Sequence, residues 1–274
     1  MMFEQFVTRC RLSVFLLMVG CVSVVVADES AARAVTQIVA HRGSSADRPE
    51  NTLASTRRAI EVGATAVEVD VRTTKDGALV LSHDTTLDHA INGTGKINDR
   101  TLAEIQQLDV GSKFDPKFAG ERIPTLAQVL TLCKDKIDVL LDLKENGDDY
   151  DRNVVETVKT HGDPKRIIVG ARSVKQAKRF RKLLPQARQL GLIEKPEEIE
   201  AYAAAGVEMI RLWPKWLSDT TLVGRVRKAG VKLHLNGTTG AEDEIAELLK
   251  YRPDSLSSDD PARLIATLKA LGNP

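Results

Sequence analysis

The 274-residue sequence predicts an α/β fold, a TIM (β/α)8 barrel with a small insertion after its second strand. Three observations support this prediction. Short apolar segments alternate with helical segments, as parallel β/α units require. The barrel-strand candidates number eight, which is the number that a TIM barrel needs. Charged residues gather at the ends of the first strands, and active sites of such barrels lie at that mouth.

The strand candidates are short apolar segments that recur along the whole chain after residue 36. The predicted barrel strands are 37–41, 66–72, 137–144, 166–169, 189–193, 208–212, 231–236 and 254–257. The clearest helices, 52–62, 174–184 and 241–251, each end close to a glycine or a proline. This alternation predicts a single barrel domain over residues 28–274.

A further apolar segment, 78–83, does not fit the alternation, because only five residues (73–77) separate it from the preceding strand. A parallel crossover needs roughly a dozen residues, so the two strands must form a hairpin. Asp76-Gly77 is a favoured two-residue turn. With that turn Asp70 lies opposite His83, and directly paired residues share a face. The hairpin therefore predicts His83 beside Asp70 at the barrel mouth.

Residues 84–124 contain no barrel strand and are rich in Gly, Asp and Thr. We predict that they form an inserted subdomain or a lid over the site. A merely decorative insertion is equally compatible with the sequence.

The N-terminus has the pattern of a signal peptide over residues 1–27. Arg9 and Arg11 precede the apolar segment 12–26, and small residues ending in Ala27 suit signal peptidase. The apolar segment of 15 residues (12–26) is short for a membrane span, so a retained anchor is disfavoured. We expect an exported protein, periplasmic or secreted, with no stable membrane span after cleavage.

The cysteines add two further expectations about export. Cys21 loosely fits a lipoprotein cleavage site, but the five apolar residues 22–26 that follow it argue against cleavage there. Cys133 would be the single cysteine of the mature chain, so no internal disulfide is possible.

The bulk composition disfavours some partners. The formal net charge is +1 and the aromatic share is 4%, which provides neither a broad basic field nor stacking platforms for nucleic acid. A hydrophobic share of 42% is sufficient for a sizeable core. A small-molecule ligand in a local positive pocket remains compatible with these values, and the sequence predicts no oligomeric state.

Ionisable residues at four strand ends are the candidate site. They are His41 and Arg42, Glu68 and Asp70, His83, and Asp142 and Lys144. Strand residues two apart share a face, so Glu68 points with Asp70, and Asp142 points with Lys144. Three converging carboxylates are costly without a cation. Their oxygen ligands favour Mg²⁺, Ca²⁺ or Mn²⁺ over Zn²⁺.

The remaining candidates suit an anion and proton transfer. Arg42 and Lys144 would hold an anion, most simply a phosphate. His41 and His83 can act as an acid–base pair. Taken singly, each choice has a plainer interpretation, such as a hydrogen-bonded structural histidine or an ion pair between Asp142 and Lys144. Their convergence at one mouth favours function.

An ordered series of motifs runs through the chain after residue 39. The motifs include Ala40-His41-Arg42-Gly43, Pro49-Glu50-Asn51-Thr52, Glu68-Val69-Asp70-Val71, Thr74-Lys75-Asp76-Gly77, Ser82-His83-Asp84, Asn92-Gly93-Thr94-Gly95, Ile123-Pro124-Thr125-Leu126, Leu141-Asp142-Leu143-Lys144 and Ser258-Asp259-Asp260-Pro261. In these motifs the sequence resembles the glycerophosphodiester phosphodiesterase family, one of the phospholipase C-like phosphodiesterases. The resemblance covers nearly all of the chain after the signal segment and is more specific in the first half.

The resemblance implies a TIM barrel that hydrolyses glycerophosphodiesters to sn-glycerol 3-phosphate and an alcohol. It implies a nucleophilic 2-hydroxyl on the substrate glycerol and a cyclic phosphate that water then opens. The implied roles are acid–base catalysis for His41 and His83, Mg²⁺ or Ca²⁺ binding for Glu68, Asp70 and Asp142, and phosphate binding for Arg42 and Lys144.

Other positions are expected to support the site or to alter it. Glu50 and Asn51 match the family, and Glu50 could hold the phosphate-binding arginine in place or reach the metal. Asp142 replaces the usual glutamate, which leaves direct metal contact or a bridging water open. His89 stands where an arginine is usual and could reach the site. His234 lies on a strand that usually carries an aromatic residue.

Two rival functions remain open on the sequence. One is a related phosphodiesterase that acts on lysophospholipid or phosphoinositol substrates, which an apolar groove near the insertion would favour. The other is a binding protein that kept the barrel and lost catalysis, although both histidines are present. Trp213 follows the sixth strand and Arg211 lies near its end, and either could touch the substrate, whereas His161 ends a helix and is expected to be structural.

Overall fold

The computed structural model describes residues 29–88 and 93–272, which form a closed barrel of parallel strands surrounded by helices. The strands are β1 Gln37–Ala40, β2 Ala66–Thr73, β3 Leu79–Leu81, β4 Asp138–Leu143, β5 Ile167–Ala171, β6 Arg188–Gly191, β7 Met209–Leu212, β8 Lys232–Thr238 and β9 Ser255–Ser258. Strand β1 pairs with both β2 and β9, which closes the barrel. The predicted TIM barrel is confirmed, with β3 as the extra strand.

The helices cover the outside of the barrel, except for the third, which belongs to the inserted segment between β3 and β4. They are α1 Glu29–Ala34, α2 Leu53–Glu61, α3 Leu102–Ile105, α4 Leu126–Cys133, α5 Asp148–His161, α6 Val174–Leu183, α7 Ile199–Ala204, α8 Thr221–Lys228, α9 Glu242–Leu249 and α10 Pro261–Ala270. Short 3-10 turns occur at Ile97–Asp99, Pro116–Phe118, Pro164–Arg166, Pro196–Glu198 and Pro214–Trp216. Within residues 29–88 and 93–272, no helix has the length and apolar character to span a bilayer. The predicted signal peptide, 1–27, and His89 lie outside the described residues.

The two faces of β2 separate the core from the site. Val67, Val69 and Val71 are fully buried and pack in the layer between barrel and helices. Glu68 and Asp70 alternate with them, so they point into the barrel, as predicted. Below them the interior is filled by a separate apolar cluster, which consists of Val39, Ala66, Leu140, Ile168, Leu190, Leu192 and Met209. The carboxylates therefore lie above an apolar plug at one end of the barrel.

The predicted hairpin is present, but its predicted register is wrong by one residue. Strand β3 pairs antiparallel with the end of β2, with Thr73 opposite Leu79 and Val71 opposite Leu81. This register places Ser82 opposite Asp70, and the Ser82 amide donates to the Asp70 carbonyl at 3.0 Å. His83 therefore does not pair with Asp70.

The turn explains the shift in register. Its loop contains three residues, 75–77, rather than two, because the Thr74 amide donates to the carbonyl of Ala78. Gly77 has φ +83°, the left-handed conformation that follows a type I turn in three-residue hairpin loops. His83 still lies at the barrel mouth, because the chain leaves β3 after Leu81 and bends there.

The insertion between β3 and α4 is confirmed and has its own small core. Among the residues that the structure describes, this core consists of Val80, Leu87, Ile97, Ile105, Val110 and Ile123. Asp109 fixes the outer loop, because its carboxylate accepts hydrogen bonds from the amides of Gly111, Ser112 and Gly120 at 2.7–2.9 Å. The insertion is therefore a packed unit beside the barrel mouth.

Candidate active site

Three predicted carboxylates meet at the mouth because of the β2–β4 register. In that register Asp70 is the direct neighbour of Asp142, and Glu68 precedes Asp70 by two residues on the same face. One oxygen from each of the three carboxylates lies within 4.8 Å of the others. All three residues are buried. This acidic cluster could hold a metal ion.

Glu68 is the member of the cluster whose pKa is raised most clearly. Burial raises the pKa of Glu68 to about 8, and the charge of Asp70 adds to this effect. Burial also opposes ionisation of Asp70, but Lys144, Asn51 and Arg42 together outweigh it and keep the pKa of Asp70 below its usual range. Ionisation of Glu68 is therefore disfavoured unless a positive charge binds beside it.

Two cations bind Asp142. The Lys144 ammonium contacts Asp142 Oδ2 at 2.7 Å and Asp70 Oδ1 at 2.8 Å. Arg172 donates from Nε and Nη2 to the two Asp142 oxygens at 2.9 and 2.7 Å. The sequence analysis did not identify Arg172 as a site residue. The sequence feature that could have indicated it is its position directly after β5. A metal ion bound by Asp142 would compete with Arg172 for these two carboxylate oxygens.

The loop after β1 adds further contacts to the carboxylates. Arg42, with φ +54°, donates its amide to Glu68 Oε2 at 2.8 Å and its Nη1 to Glu50 Oε2 at 2.9 Å. Arg42 Nε lies 3.5 Å from Asp70 Oδ2. Asn51, with φ +55°, donates Nδ2 to Asp70 Oδ2 at 2.8 Å. Glu50 thus holds Arg42, and Asn51 holds Asp70.

Each candidate catalytic histidine has a carboxylate on Nδ1. His41 Nδ1 lies 2.6 Å from Asp259 Oδ1, and His83 Nδ1 lies 2.8 Å from Asp84 Oδ1. In both rings Nε2 is left for proton exchange with a ligand. Burial lowers the pKa of His41, but the bond to Asp259 and the charge of Glu68 outweigh burial and raise it above its usual value. Asp259 belongs to the motif Ser258-Asp259-Asp260-Pro261, but the sequence analysis assigned no function to it.

The site opens into a cavity of about 400 Å³ at the barrel mouth. One wall consists of both histidines, the three carboxylates, Arg42, Lys144 and Arg172, and the opposite wall consists of Arg211, Trp213, His234 and Asn236.

In the second wall, the Arg211 guanidinium lies 4.2 Å from the Trp213 ring centroid, and burial lowers the pKa of Arg211 to about 10. Burial and the neighbouring Arg211 lower the pKa of His234 to about 3, so this histidine is neutral. Cationic side chains therefore stand on both walls of the cavity.

These features define a TIM-barrel protein with an acidic metal-type site and two carboxylate-held histidines at one mouth. Residues 41–263 match the glycerophosphoryl diester phosphodiesterase family, and the chain belongs to this family. The chain is 35% identical over 244 residues to a glycerophosphodiester phosphodiesterase of Caldanaerobacter subterraneus subsp. tengcongensis, covering 86% of this chain and 99% of the relative.

Solved structures show the same similarity. One is a glycerophosphodiester phosphodiesterase from Agrobacterium tumefaciens, with a TM-score of 0.74, 27% identity, and coverage of 84% of this chain and 99% of that one. Another is an Oleispira antarctica phosphodiesterase in complex with the product sn-glycerol-3-phosphate. It has a TM-score of 0.75, 26% identity, and coverage of 87% of this chain and 99% of that one.

Proposed function

We propose that the protein is a metal-dependent phosphodiesterase that hydrolyses glycerophosphodiesters to sn-glycerol 3-phosphate and an alcohol. The observation that carries the proposal is the convergence of two carboxylate-held histidines with the acidic cluster in one cavity. Family membership and the product found in the Oleispira relative support it.

The donor set suits a hard divalent cation, Mg²⁺ or Ca²⁺. Glu68, Asp70 and Asp142 would hold it, with Asp142 either in direct contact or through a water, because two cations already bind its oxygens. The raised pKa of Glu68 supports this fit, because burial and the charge of Asp70 disfavour its ionised form, which a bound cation would stabilise. A bound cation supplies charge stabilisation at the phosphate oxygens.

The phosphate would bind to arginine groups that the fold leaves available. Arg42 Nε and Arg211 Nε are buried donors with no hydrogen-bond partner in the described part of the chain. Buried donors without partners are uncommon, so an anion in the cavity would satisfy them. Lys144 adds charge between Asp70 and Asp142.

The histidines would carry the protons. The raised pKa of His41 favours its charged form near neutral pH, so we assign His41 as the acid that protonates the leaving alcohol. His83 would take the proton of the substrate 2-hydroxyl as that oxygen attacks phosphorus and the bond to the leaving alcohol breaks. The cyclic phosphate is then opened by water, with the two roles reversed.

Release of sn-glycerol 3-phosphate from glycerophosphocholine tests this function, with EDTA, Mg²⁺ or Ca²⁺ added. We expect metal-dependent release, reduced by about 10²–10⁴-fold in His41→Ala and His83→Ala, which is the usual contribution of acid–base groups. His161→Ala is the matched control, because His161 is exposed at the end of α5.

A substrate analogue without the 2-hydroxyl separates the cyclic route from direct attack by water. We expect it to bind and not to react. Turnover of the analogue at the normal rate would exclude the cyclic route, whereas no turnover of glycerophosphocholine with any metal would overturn the proposed activity.

We also propose that the protein is exported after cleavage behind Ala27. The basic residues and apolar segment of 1–27 support this proposal. N-terminal sequencing of the extracytoplasmic protein should begin at Asp28, and Ala27→Arg should block processing. Recovery of the full-length chain from the cytoplasm alone would contradict export.

A further inference from the structure

A second cavity, of about 220 Å³, lies beside the candidate active site between the end of β3 and the insertion. It meets the larger cavity at His83, which lines both. Glu50 and Asn51 also line it, and these residues hold Arg42 and Asp70 of the site. The second cavity therefore adjoins the place where a phosphodiester would bind, with His83 between the two.

The walls of this cavity are mainly apolar. Leu81 and Pro49 come from the barrel side, and Val110, Phe114 and Ile123 come from the insertion. Apolar walls of this kind recognise apolar ligand groups.

The charged lining residues argue against a cationic group. Lys113 contributes a positive charge at the rim, and its ammonium donates to the carbonyl of Asp88 at 2.5 Å. The Glu50 carboxylate accepts a hydrogen bond from Arg42. A quaternary ammonium group would meet neither a carboxylate without a cationic partner nor a cage of aromatic rings among the described lining residues.

Phe114 is a second observation that points to a ligand. Its side chain is 44% exposed, and it is the large apolar residue most open to solvent in residues 29–88 and 93–272. It lies on a loop that Asp109 fixes through three backbone amides. The fold therefore holds an exposed aromatic ring at the rim of an apolar cavity.

We propose that this cavity, the insertion subsite, binds an apolar chain carried by the phosphodiester substrate. The inference rests on the proposed phosphodiesterase activity and names its substrate class: glycerophosphodiesters with an alkyl or acyl chain. The volume is below the range of about 300–1,000 Å³ that encloses a drug-sized ligand, so the subsite suits a chain segment.

The test is a series of glycerophospho-n-alkanols from methanol to octanol, with glycerophosphocholine as the cationic comparison. We expect kcat/KM to rise with chain length by up to roughly fourfold per buried methylene and then to level off when the cavity is full. This rise in kcat/KM should come mainly from a lower KM. A second arm uses 1-hexanoyl-glycerophosphocholine, which carries the chain on the glycerol, and the arm that gains shows which end of the substrate enters the subsite.

Two variants locate the effect. Phe114→Ser should lower the octyl-to-methyl ratio of kcat/KM by roughly tenfold, the contribution of about two buried methylenes. Phe118→Ser is the matched control, because Phe118 lies on the same loop, 5.8 Å from the Phe114 ring, but outside the cavity lining. Its ratio should stay at the wild-type value.

The outcomes separate the two proposals. A chain-length gain that Phe114→Ser lowers by roughly tenfold, and that Phe118→Ser leaves unchanged, supports the insertion subsite. Hydrolysis of the methyl ester and of glycerophosphocholine with no gain in either arm, or with an equal gain in Phe114→Ser, overturns the subsite and leaves the activity intact. Hydrolysis of no glycerophosphodiester overturns both.

Discussion

Gly43, in the turn after β1, is a residue on which the geometry of the site depends. It follows Arg42, has φ +83°, and leaves no room for a side chain: an added Cβ would lie 2.4 Å from Ser55 Oγ and 2.7 Å from the Ser55 carbonyl carbon. Ser55 belongs to α2. The close approach lets the Arg42 carbonyl accept the Ser55 hydroxyl at 3.0 Å, which links the turn to the helix.

Gly43→Ala should therefore destabilise the protein by about 3 kcal/mol or more, combining left-handed backbone strain with overpacking against α2. Gly77→Ala is the matched control, because Gly77 also has φ +83° but has no atom within 4 Å of an added Cβ. We expect about 1 kcal/mol there, from the backbone alone. Urea unfolding measures both, and equal losses would contradict the steric argument.

His234 predicts a pH dependence of stability. Its pKa is lowered to about 3 in the folded protein by burial and Arg211, whereas the unfolded chain binds the proton near its ordinary value of 6.5. Between these values the unfolded state holds more protons, so stability is lost as the pH falls below about 6.5. The loss from this one residue is up to about 1.4 kcal/mol per pH unit.

His234→Gln should flatten the acid limb of the unfolding free energy between about pH 6.5 and the onset of global acid unfolding. His161→Gln, at the exposed end of α5, should leave that limb unchanged. Denaturant titrations at several pH values measure the difference. Identical pH profiles for wild type and His234→Gln would show that folding does not lower the pKa of His234.

At the scale of elements, the β2–β3 hairpin shows what local sequence could and could not predict. Period-two patterning and the short separation predicted the hairpin correctly. Asp76-Gly77 suits a two-residue turn and also the end of a three-residue loop. The structure selects the latter, where Thr74 Oγ1 donates to Asp76 Oδ1 at 2.6 Å and accepts from the Ala78 amide at 3.0 Å.

Contacts between distant elements explain what the sequence missed at the site. Strand periodicity was sufficient to place Glu68, Asp70 and Asp142 on inward faces, because that inference needs only local alternation. The pairs Arg172–Asp142 and His41–Asp259 join residues 30 and 218 positions apart. No spacing rule connects them, so they became visible only with the barrel assembled.

The contact between α5 and α6 includes a fully buried carboxylate, Asp151. It accepts hydrogen bonds from Gln176, at 3.0 Å, and from Arg179. Burial raises the pKa of Asp151 despite these partners. Arg179→Met should therefore cost about 3–5 kcal/mol at neutral pH, because it leaves a buried charge without its cation.

The matched control is Arg181→Met on the same helix, where the ion pair to Glu208 is solvent-exposed and worth about 1 kcal/mol or less. In an Asp151→Asn background, Arg179→Met should cost much less, and a double-mutant cycle measured by urea unfolding gives the coupling. Additive losses would show that the two side chains do not stabilise α5 and α6 as a pair.

At the scale of the whole molecule, the site depends on closure of the barrel. β1 carries the chain to His41, β2 and β4 carry the carboxylates, and Asp259 follows β9. The His41 amide also donates to the Ser258 carbonyl at 2.9 Å, so the first and last strands meet at this histidine. A ligand that binds the assembled cluster should therefore stabilise the whole barrel against unfolding.

Binding of Mg²⁺ or Ca²⁺ should raise the thermal midpoint and release protons. At a free concentration 100 times the dissociation constant, the stabilisation is about 2.7 kcal/mol. The pKa of Glu68 is about 8 without a cation, so near neutral pH binding must displace close to one proton from this carboxyl. Apparent affinity should therefore rise as the pH increases from 6 to 8.5, and calorimetry in buffers of different ionisation enthalpy counts the protons.

Glu68→Gln should remove the proton release and most of the thermal shift, because the buried amide has no proton to lose and is a weaker ligand. Glu247→Gln, an exposed change on α9, keeps both effects and controls for the loss of one acid. A thermal shift that is equal in the two variants would place the cation elsewhere on the protein. A shift without proton release would mean that Glu68 is already ionised in the metal-free barrel, held by the positive charges of Arg42, Lys144 and Arg172 around the cluster.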